Sequence, residues 1–195
     1  YKFKVFKHDP GLPDSLSGVY IHALFKDRSG KIWIANDQFL DRLDPTTETF
    51  THYRVGPQDP KELSVAVTHM SQDRTGMLWL ATGNGLRRLD PATGRITHYR
   101  HDPNDSSSLS SNNVRSSGED RAGTFWVATG LGLDAFDRDA GKVTLHVPLP
   151  ELTTHFSFYE DRFGVFWIFY ASGNGLAVFD RKTNRLTRYS FHQRE

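Results

Sequence analysis

The chain has 195 residues, of which 37% are hydrophobic and 13% aromatic, and this composition is typical of a folded globular protein. Its 24 basic and 23 acidic residues are spread along the sequence, so the net charge of +1 disfavours a nucleic-acid partner and predicts no direct membrane contact of this region. Without cysteine, disulfides, zinc–thiolate sites and thiol catalysis are excluded.

The first predicted element is an outermost strand and its exit loop in residues 1–10, which end in His8-Asp9-Pro10. The same pattern occurs at Thr97 to Pro103, further along the chain. We therefore interpret residues 1–10 as the outer strand left over from a preceding unit, and the chain as a portion of a larger array.

A unit of similar sequence then recurs four times. Each copy contains an Asp-Arg-x-Gly turn that begins at Asp27, Asp73, Asp120 or Asp161, at intervals of 46, 47 and 41 residues. Three places after each glycine of that turn stands a tryptophan: Trp33, Trp79, Trp126 and Trp167. A period in the forties with one tryptophan in a constant register indicates a repeat array such as a propeller.

Within a unit, β-rich stretches alternate with turn signals, and no window has a helical period. The clearest copy continues from its tryptophan strand through a Gly/Asn corner at residues 82–85 to two more strands separated by an Asp-Pro turn at Asp90. The sequence thus predicts an all-β propeller of four-stranded antiparallel blades. One region, residues 1–195, holds blades at residues 19–54, 65–100, 112–147 and 153–191.

The repeated tryptophans and aspartates have structural explanations. A large indole fills the gap between neighbouring twisted sheets, and a turn aspartate accepts backbone N–H groups once in every blade. Because four such carboxylates are separated around a ring, a metal or acid–base role is disfavoured. The histidines have no metal-binding spacing either, so neither a metal nor a cofactor is predicted.

The second unit resembles the two-component regulator propeller repeat. The residues that carry the resemblance are Val67, Met70, Asp73 to Gly76, Leu78 to Thr82 and Asn84-Gly85-Leu86. The other units match less closely, and together they cover nearly the whole chain. The resemblance implies an extracytoplasmic, periplasmic or extracellular, sensor domain of a bacterial two-component signalling protein, non-catalytic itself, that binds a small-molecule or oligosaccharide ligand.

The predicted ligand site is the mouth of the axial channel. Innermost strands border that channel, and the loops that lead to them open on the same face as the Gly/Asn corners. The candidate residues are His22, Thr68, His69, Asn84, Asn112, Asn113, Arg115, His155, Phe156 and Asn174. Mixed amide, aromatic and basic groups suit sugar or peptide contacts, but a wet channel lined by polar residues without a ligand would have the same composition.

Two other functions stay open at this stage. Some propellers of this kind resemble lyases that use a histidine and a glutamate at the channel mouth, although no glutamate here pairs with a channel histidine by spacing. The third possibility is a docking scaffold. Four blades with the curvature of a larger propeller would leave two sheet faces uncovered, so we also expect self-association of propellers, or closure into a four-bladed disc.

Overall fold

The computed structural model describes residues 3–36, 38–55, 66–149, 156–170 and 175–189, and in these residues all regular structure is β-strand. Four sheets follow one another along the chain. The first contains β1 (Ala23–Lys26), β2 (Ile32–Ala35), β3 (Phe39–Asp44) and β4 (Thr49–Arg54). The second contains β5 (Val67–Gln72), β6 (Leu78–Thr82), β7 (Gly85–Leu89) and β8 (Ile96–Tyr99).

The other two sheets repeat this arrangement. The third contains β9 (Val114–Glu119), β10 (Phe125–Thr129), β11 (Gly132–Asp137) and β12 (Lys142–Pro148). The fourth contains β13 (Phe156–Glu160), β14 (Phe166–Tyr170), β15 (Gly175–Asp180) and β16 (Arg185–Tyr189). Strands in each sheet pair in chain order and antiparallel, which is the topology predicted for propeller blades.

The first strands of the four sheets lie side by side, β1 next to β5, β5 next to β9 and β9 next to β13. They form the hub of an open array, with the fourth strands outside, so the predicted β-propeller fold is confirmed. We call the sheets blades 1 to 4 and the contact between two successive blades a seam. No helix with the length and apolarity needed to cross a membrane occurs in the residues that the structure describes.

Apolar side chains from two blades fill each seam. The indoles of Trp33, Trp79 and Trp126 are 0%, 0% and 3% exposed, and each lies in the seam with the blade that follows. Trp79 contacts Phe125 of blade 3 with ring centroids 4.5 Å apart, and Trp126 contacts Phe166 of blade 4 at 5.5 Å. The predicted wedging role is therefore met in three seams, whereas Trp167 is only half-buried.

The turn aspartate and the tryptophan of each blade are hydrogen-bonded to each other. The indole Nε1–H donates to a carboxylate oxygen Oδ2 over 2.8 Å in blades 1 and 2 and 2.9 Å in blades 3 and 4. The other oxygen, Oδ1, accepts backbone N–H groups of the turn, such as those of Thr75 and Met77 on Asp73. One carboxylate thus closes the turn and satisfies the buried indole, which supports the structural role of these aspartates.

Residues 3–9 form no strand, which corrects the prediction of an outermost strand in residues 1–10. A strand needs a hydrogen-bonding neighbour, and none of the described residues pairs with this segment in a ladder. The segment nevertheless packs on blade 1, where Phe6 meets Phe50 of β4 edge-to-face at 5.6 Å. Blade 1 also begins later than expected, because regular pairing starts at Ala23 and not at residue 19.

Candidate functional site

The two ends of the blades carry different loops. One end, which we call the turn end, has the Asp-Arg-x-Gly turns and the turns between third and fourth strands. The other, the corner end, has the corners between second and third strands and the links that lead from an outer strand to the next inner strand. The first strands begin at the corner end, so their first residues lie at the mouth of the hub.

Two inner strands are bulged at this mouth. In β5, Val67 pairs with Thr82 and His69 with Ala81, which leaves Thr68 as an extra residue. In β9, Val114 pairs with Thr129 and Ser116 with Ala128, which leaves Arg115 as the extra residue. A bulge releases one residue from the ladder and redirects its side chain. Thr68 and Arg115 each stand five places before their turn aspartate, so the bulge recurs at one repeat position.

The released side chains offer polar groups at the corner end. Thr68 is exposed, and its hydroxyl donates to the carbonyl of Ala81 over 3.3 Å. Arg115 is half-buried, and its Nε is buried without a hydrogen-bond partner in the described part of the chain. His22, at the same repeat position in blade 1, is exposed, and its backbone N–H donates to the carbonyl of Ala35 over 2.8 Å.

His69 belongs to the seam between blades 2 and 3. Its Nδ1 accepts a long hydrogen bond from the backbone N–H of Ser117 at 3.5 Å, next to a contact of 3.1 Å between the hydroxyls of Ser71 and Ser117. Burial lowers the pKa of His69, because the charged imidazolium loses its hydration. His69 is therefore a neutral imidazole at neutral pH, and one of its two nitrogens is used within the fold.

Three candidate asparagines, Asn84, Asn112 and Asn113, are described, and they lie where links meet corners. The carbonyl of Asn112 accepts the N–H of Gly85 over 2.6 Å, and its side-chain oxygen accepts the N–H of His101 over 2.8 Å. The carbonyl of Asn113 accepts the N–H of Gly130 over 2.8 Å. Asn84 is half-buried, and its N–H donates to the hydroxyl of Thr82. Asn112 and Asn113 thus hold the corners of blades 2 and 3 to the link between them.

Three candidates belong to the fourth blade. His155 and Asn174 lie outside the described residues. Phe156 begins β13, where it pairs in register with Tyr170 and no bulge occurs. In blade 1 the ladder starts at Ala23, one residue after the equivalent position His22. The bulge is therefore observed in blades 2 and 3 and not in blade 4, so it is not a requirement of a blade.

Charged residues at the turn end form a separate network. Glu119 accepts the N–H of Arg74 from blade 2 over 2.8 Å and binds the guanidinium of Arg138 over 2.8 Å. Glu160 accepts the N–H of Arg121 over 2.6 Å and binds Arg181 over 2.7 Å. These two glutamates therefore tie blades together at the end of the inner strand farthest from Thr68 and Arg115.

The links are anchored by a repeated cluster that sequence reasoning missed. Asp41 is fully buried and accepts the N–H of Ser17 over 2.9 Å, the Ser17 hydroxyl over 2.5 Å and the imidazole Nδ1–H of His52 over 2.7 Å. Asp134, equally buried, accepts the N–H of Ser110 and Nδ1–H of His146 in the same way. The constant spacing of 24 residues between serine and aspartate is the signal that could have revealed it.

This cluster is not a nucleophilic triad. The carboxylate stands between the serine and the histidine, so no base contacts the hydroxyl. In the described residues, no group of three or more histidine and carboxylate side chains is arranged to hold a metal ion. The bulged corner end of the hub is therefore the candidate site, because the bulges release the polar side chains of Thr68 and Arg115 there.

Comparisons with known proteins agree with the fold. Residues 15–38 match the family model of the two component regulator propeller, so the match falls on the first unit, whereas the sequence analysis put the best copy in the second. A structure from B. thetaiotaomicron described as the extracellular domain of a hybrid two component system has 22% identity and a TM-score of 0.70, over 91% of this chain and 25% of that one. No curated protein sequence matches the chain at a significant level.

A second domain of this kind from B. thetaiotaomicron has 21% identity and a TM-score of 0.59, over 88% of this chain and 30% of that one. Virginiamycin B lyase from Staphylococcus aureus, in a catalytically inactive form with quinupristin, has 15% identity and a TM-score of 0.70, over 94% of this chain and 59% of that one.

The chain thus spans a quarter to a third of the length of the two-component structures. At these identities the likeness concerns the fold, which the lyase and the two-component structures share. The described residues thus form four blades of a β-propeller, and residues 15–38 match the two component regulator propeller repeat.

Proposed function

We propose that this region is the extracellular, non-catalytic sensor propeller of a bacterial two-component regulator, and that it binds an oligosaccharide at the corner end of its hub. The match of residues 15–38 to the regulator propeller and the likeness to extracellular domains of two component systems support this role. The ligand assignment depends on the side chains of the hub.

The observation that carries the proposal is the pair of bulges in β5 and β9. Blade 4 pairs regularly at this position, so the bulges are not needed to build a blade. They direct a hydroxyl, on Thr68, and a guanidinium, on Arg115, away from the ladder at adjacent inner strands. Bulges are over-represented next to binding sites, where they re-aim a side chain.

The chemistry of these groups favours an acidic sugar. A guanidinium binds a carboxylate through two parallel hydrogen bonds, and a hydroxyl and an imidazole pair with sugar hydroxyls. The Nε of Arg115 is buried without a partner in the described residues, so no hydrogen bond at this atom fixes the guanidinium within the blade. We infer that the ligand class is an oligosaccharide that contains uronic acid.

The test is a thermal-shift and calorimetric titration with matched neutral and uronic-acid oligosaccharides. Uronic-acid oligosaccharides should raise the melting temperature, because a ligand that binds only the folded state stabilises it. Arg115→Ala should weaken their binding by about tenfold or more, since a charged hydrogen-bonding group is removed. Arg95→Ala, which removes an exposed arginine beside the outer strand β8, is the matched control and should bind normally.

Two results would contradict the proposal. Equal affinities of the Arg115→Ala and Arg95→Ala variants would show that the ligand does not bind at the hub. Absence of binding to every oligosaccharide would show that the proposed ligand class is wrong. Cleavage products in the same mixtures would favour the lyase. The lyase alternative requires a glutamate near a histidine at the channel mouth. The described glutamates, Glu48, Glu119 and Glu160, lie in turns or at the turn end, away from that mouth.

A further inference from the structure

The links that lead into blades 1 and 3 fold in the same way. They are residues 8–17 and 101–110, which we call the blade 1 link and the blade 3 link. In both, the first histidine donates its Nδ1–H to a leucine carbonyl eight places on, and the N–H of the next aspartate donates to a serine hydroxyl six places on. These pairs are His8 with Leu16, Asp9 with Ser15, His101 with Leu109 and Asp102 with Ser108.

The outer strand beneath each link differs between the two blades. In blade 1, β3 and β4 pair without a bulge, and the Nε2–H of His52 donates to the carbonyl of Pro13 in the link over 2.9 Å. In blade 3, β12 is bulged at Thr144, which is left out of the ladder with β11. His146, the equivalent of His52, keeps its hydrogen bond to Asp134 over 2.6 Å, but its Nε2 has no hydrogen-bond partner in the described residues.

A cavity of about 350 Å³ lies beside His146, between the blade 3 link and β12. We call it the link cavity. It belongs to a blade that has a described blade on each side, and its volume is within the range of small-ligand sites. The polar lining consists of serine hydroxyls and the side chains of His101, Asp102, Asn104, Asp105 and His146.

Four of these side chains offer hydrogen-bond acceptors. The Nδ1–H groups of His101 and His146 are used within the fold, so the Nε2 of each neutral ring is an acceptor. Asp102 and Asp105 accept backbone N–H groups at Oδ1, over 2.9 Å in both, and their Oδ2 atoms have no partner in the part of the chain that is described. Hydrogen bonds from Ser107 lower the pKa of Asp105, so it is ionised at neutral pH. A fitting ligand therefore brings hydrogen-bond donors and a positive charge.

We propose that the link cavity binds an amino sugar, whose ammonium pairs with Asp102 and Asp105 and whose hydroxyls donate to His101 and His146. Among the described residues, these side chains are not arranged to hold a metal ion, so the cation that fits is organic. The link cavity differs from the hub in place and in charge. It lies against the outer strand of blade 3 and selects a cation, whereas the ligand proposed for the hub is acidic, so the two sites are independent.

The experiment is a titration of the whole chain with glucosamine, glucose and N-acetylglucosamine, followed by calorimetry and by NMR of the backbone amides. Glucosamine should bind about tenfold or more tightly than the two neutral sugars, because only its ammonium can pair with the carboxylates. The amide signals that move should belong to residues 101–110 and to β12.

Three variants test the charge of the site. Asp105→Asn should weaken glucosamine binding by about tenfold, since it removes the charge but keeps Oδ1 for the turn. Asp139→Asn makes the same change in an exposed turn of blade 3 outside the cavity and should bind normally. Lys142→Gln should tighten binding by about threefold, because it removes a positive charge that acts on Asp105.

Several outcomes would overturn the proposal. They are absence of glucosamine binding, equal affinities for glucosamine and glucose, and amide shifts confined to the hub. Equal affinities of the Asp105→Asn and Asp139→Asn variants would show that the carboxylate does not bind the ligand. Unchanged or weaker binding by the Lys142→Gln variant would show that the cavity does not select a cation.

Discussion

A single carboxylate in each blade joins a turn to a buried indole. In blade 2, Asp73 accepts the N–H of Thr75, the N–H of Met77 and the indole N–H of Trp79. Both residues were recognised in the sequence, but as separate features, one for the turn and one for the gap between sheets. Their constant separation of six residues reflects the hydrogen bond between them, which the pattern alone does not disclose.

We expect Asp73→Ala to lower the free energy of unfolding by about 3 kcal/mol, because it leaves the fully buried indole N–H of Trp79 without an acceptor. Urea denaturation followed by tryptophan fluorescence measures the change. Asp105→Ala is the control, since Asp105 makes similar bonds to Ser107 in an exposed loop where water replaces them. Comparable losses of unfolding free energy in the two variants would show that the hydrogen bond to the indole does not stabilise the protein.

At the scale of the strand pair, the corners of blades 2 and 3 require glycine. Gly85 has φ of +98°, and a Cβ there would lie 2.3 Å from the carbonyl oxygen of Tyr99. Gly132 is similar, with a Cβ position 2.2 Å from the carbonyl oxygen of Val147. Because glycine has no Cβ, the third strand can start directly beside the end of the fourth. The N–H of Gly85 also donates to the carbonyl of Asn112 in the link, which holds the corner against the link.

Two glycine substitutions separate conformational strain from steric overlap. Gly30, in the first Asp-Arg-x-Gly turn, also has positive φ, at +85°, but its Cβ would meet nothing within 4 Å. Gly30→Ala should therefore cost only the left-handed strain of about 1–2 kcal/mol. Gly85→Ala should cost clearly more, because backbone must also move. Melting temperatures compare the two, and an equal or smaller loss for Gly85→Ala would contradict the geometry of the corner.

For the whole molecule, carboxylates in the turns set the response to acid. Burial alone would raise the pKa of Asp73, but hydrogen bonds from Thr75, Trp79 and backbone N–H groups outweigh it, so the pKa lies below its ordinary value. The pKa of Asp27 is lowered for the same reasons, and that of Asp161 chiefly by the bond from Trp167. Carboxyls with a lowered folded pKa stabilise the protein above their unfolded pKa.

This stabilisation should disappear as the pH falls through the folded pKa values, below about pH 4. The urea midpoint should accordingly drop as the pH falls below about 4. Asp73→Asn should flatten the drop, since the asparagine does not titrate. An unchanged slope in Asp73→Asn would show that other groups cause the acid sensitivity.

The contribution of His52 to stability depends on pH in the opposite direction, because it is lost as the pH rises. Burial alone would lower its pKa, but the hydrogen bonds to the Asp41 carboxylate and the Pro13 carbonyl raise it above its ordinary value. Both partners only accept hydrogen bonds, so they favour the imidazolium form, in which both ring nitrogens carry a proton. Its contribution is complete below about pH 6.5 and is lost as the pH rises through the folded pKa. His52→Gln should reduce the loss of stability between about pH 6 and pH 9, measured by urea unfolding.

The sequence by itself determined the repeat, its all-β blades and their order along the chain, because strands and turns are set by local signals such as Asp-Arg-x-Gly and by the constant register of Trp33, Trp79, Trp126 and Trp167. It also predicted that the candidate residues lie on or beside the innermost strands, at the end where the links and corners meet. The tertiary structure decided what local signals do not contain. It showed that residues 3–9 make no strand, that bulges release Thr68 and Arg115, and that Trp167 is only half-buried where Trp33 is fully buried. The reason is physical: burial, strand pairing and hydrogen-bond satisfaction depend on the neighbouring blade, and a repeat pattern is the same whether or not that neighbour is there.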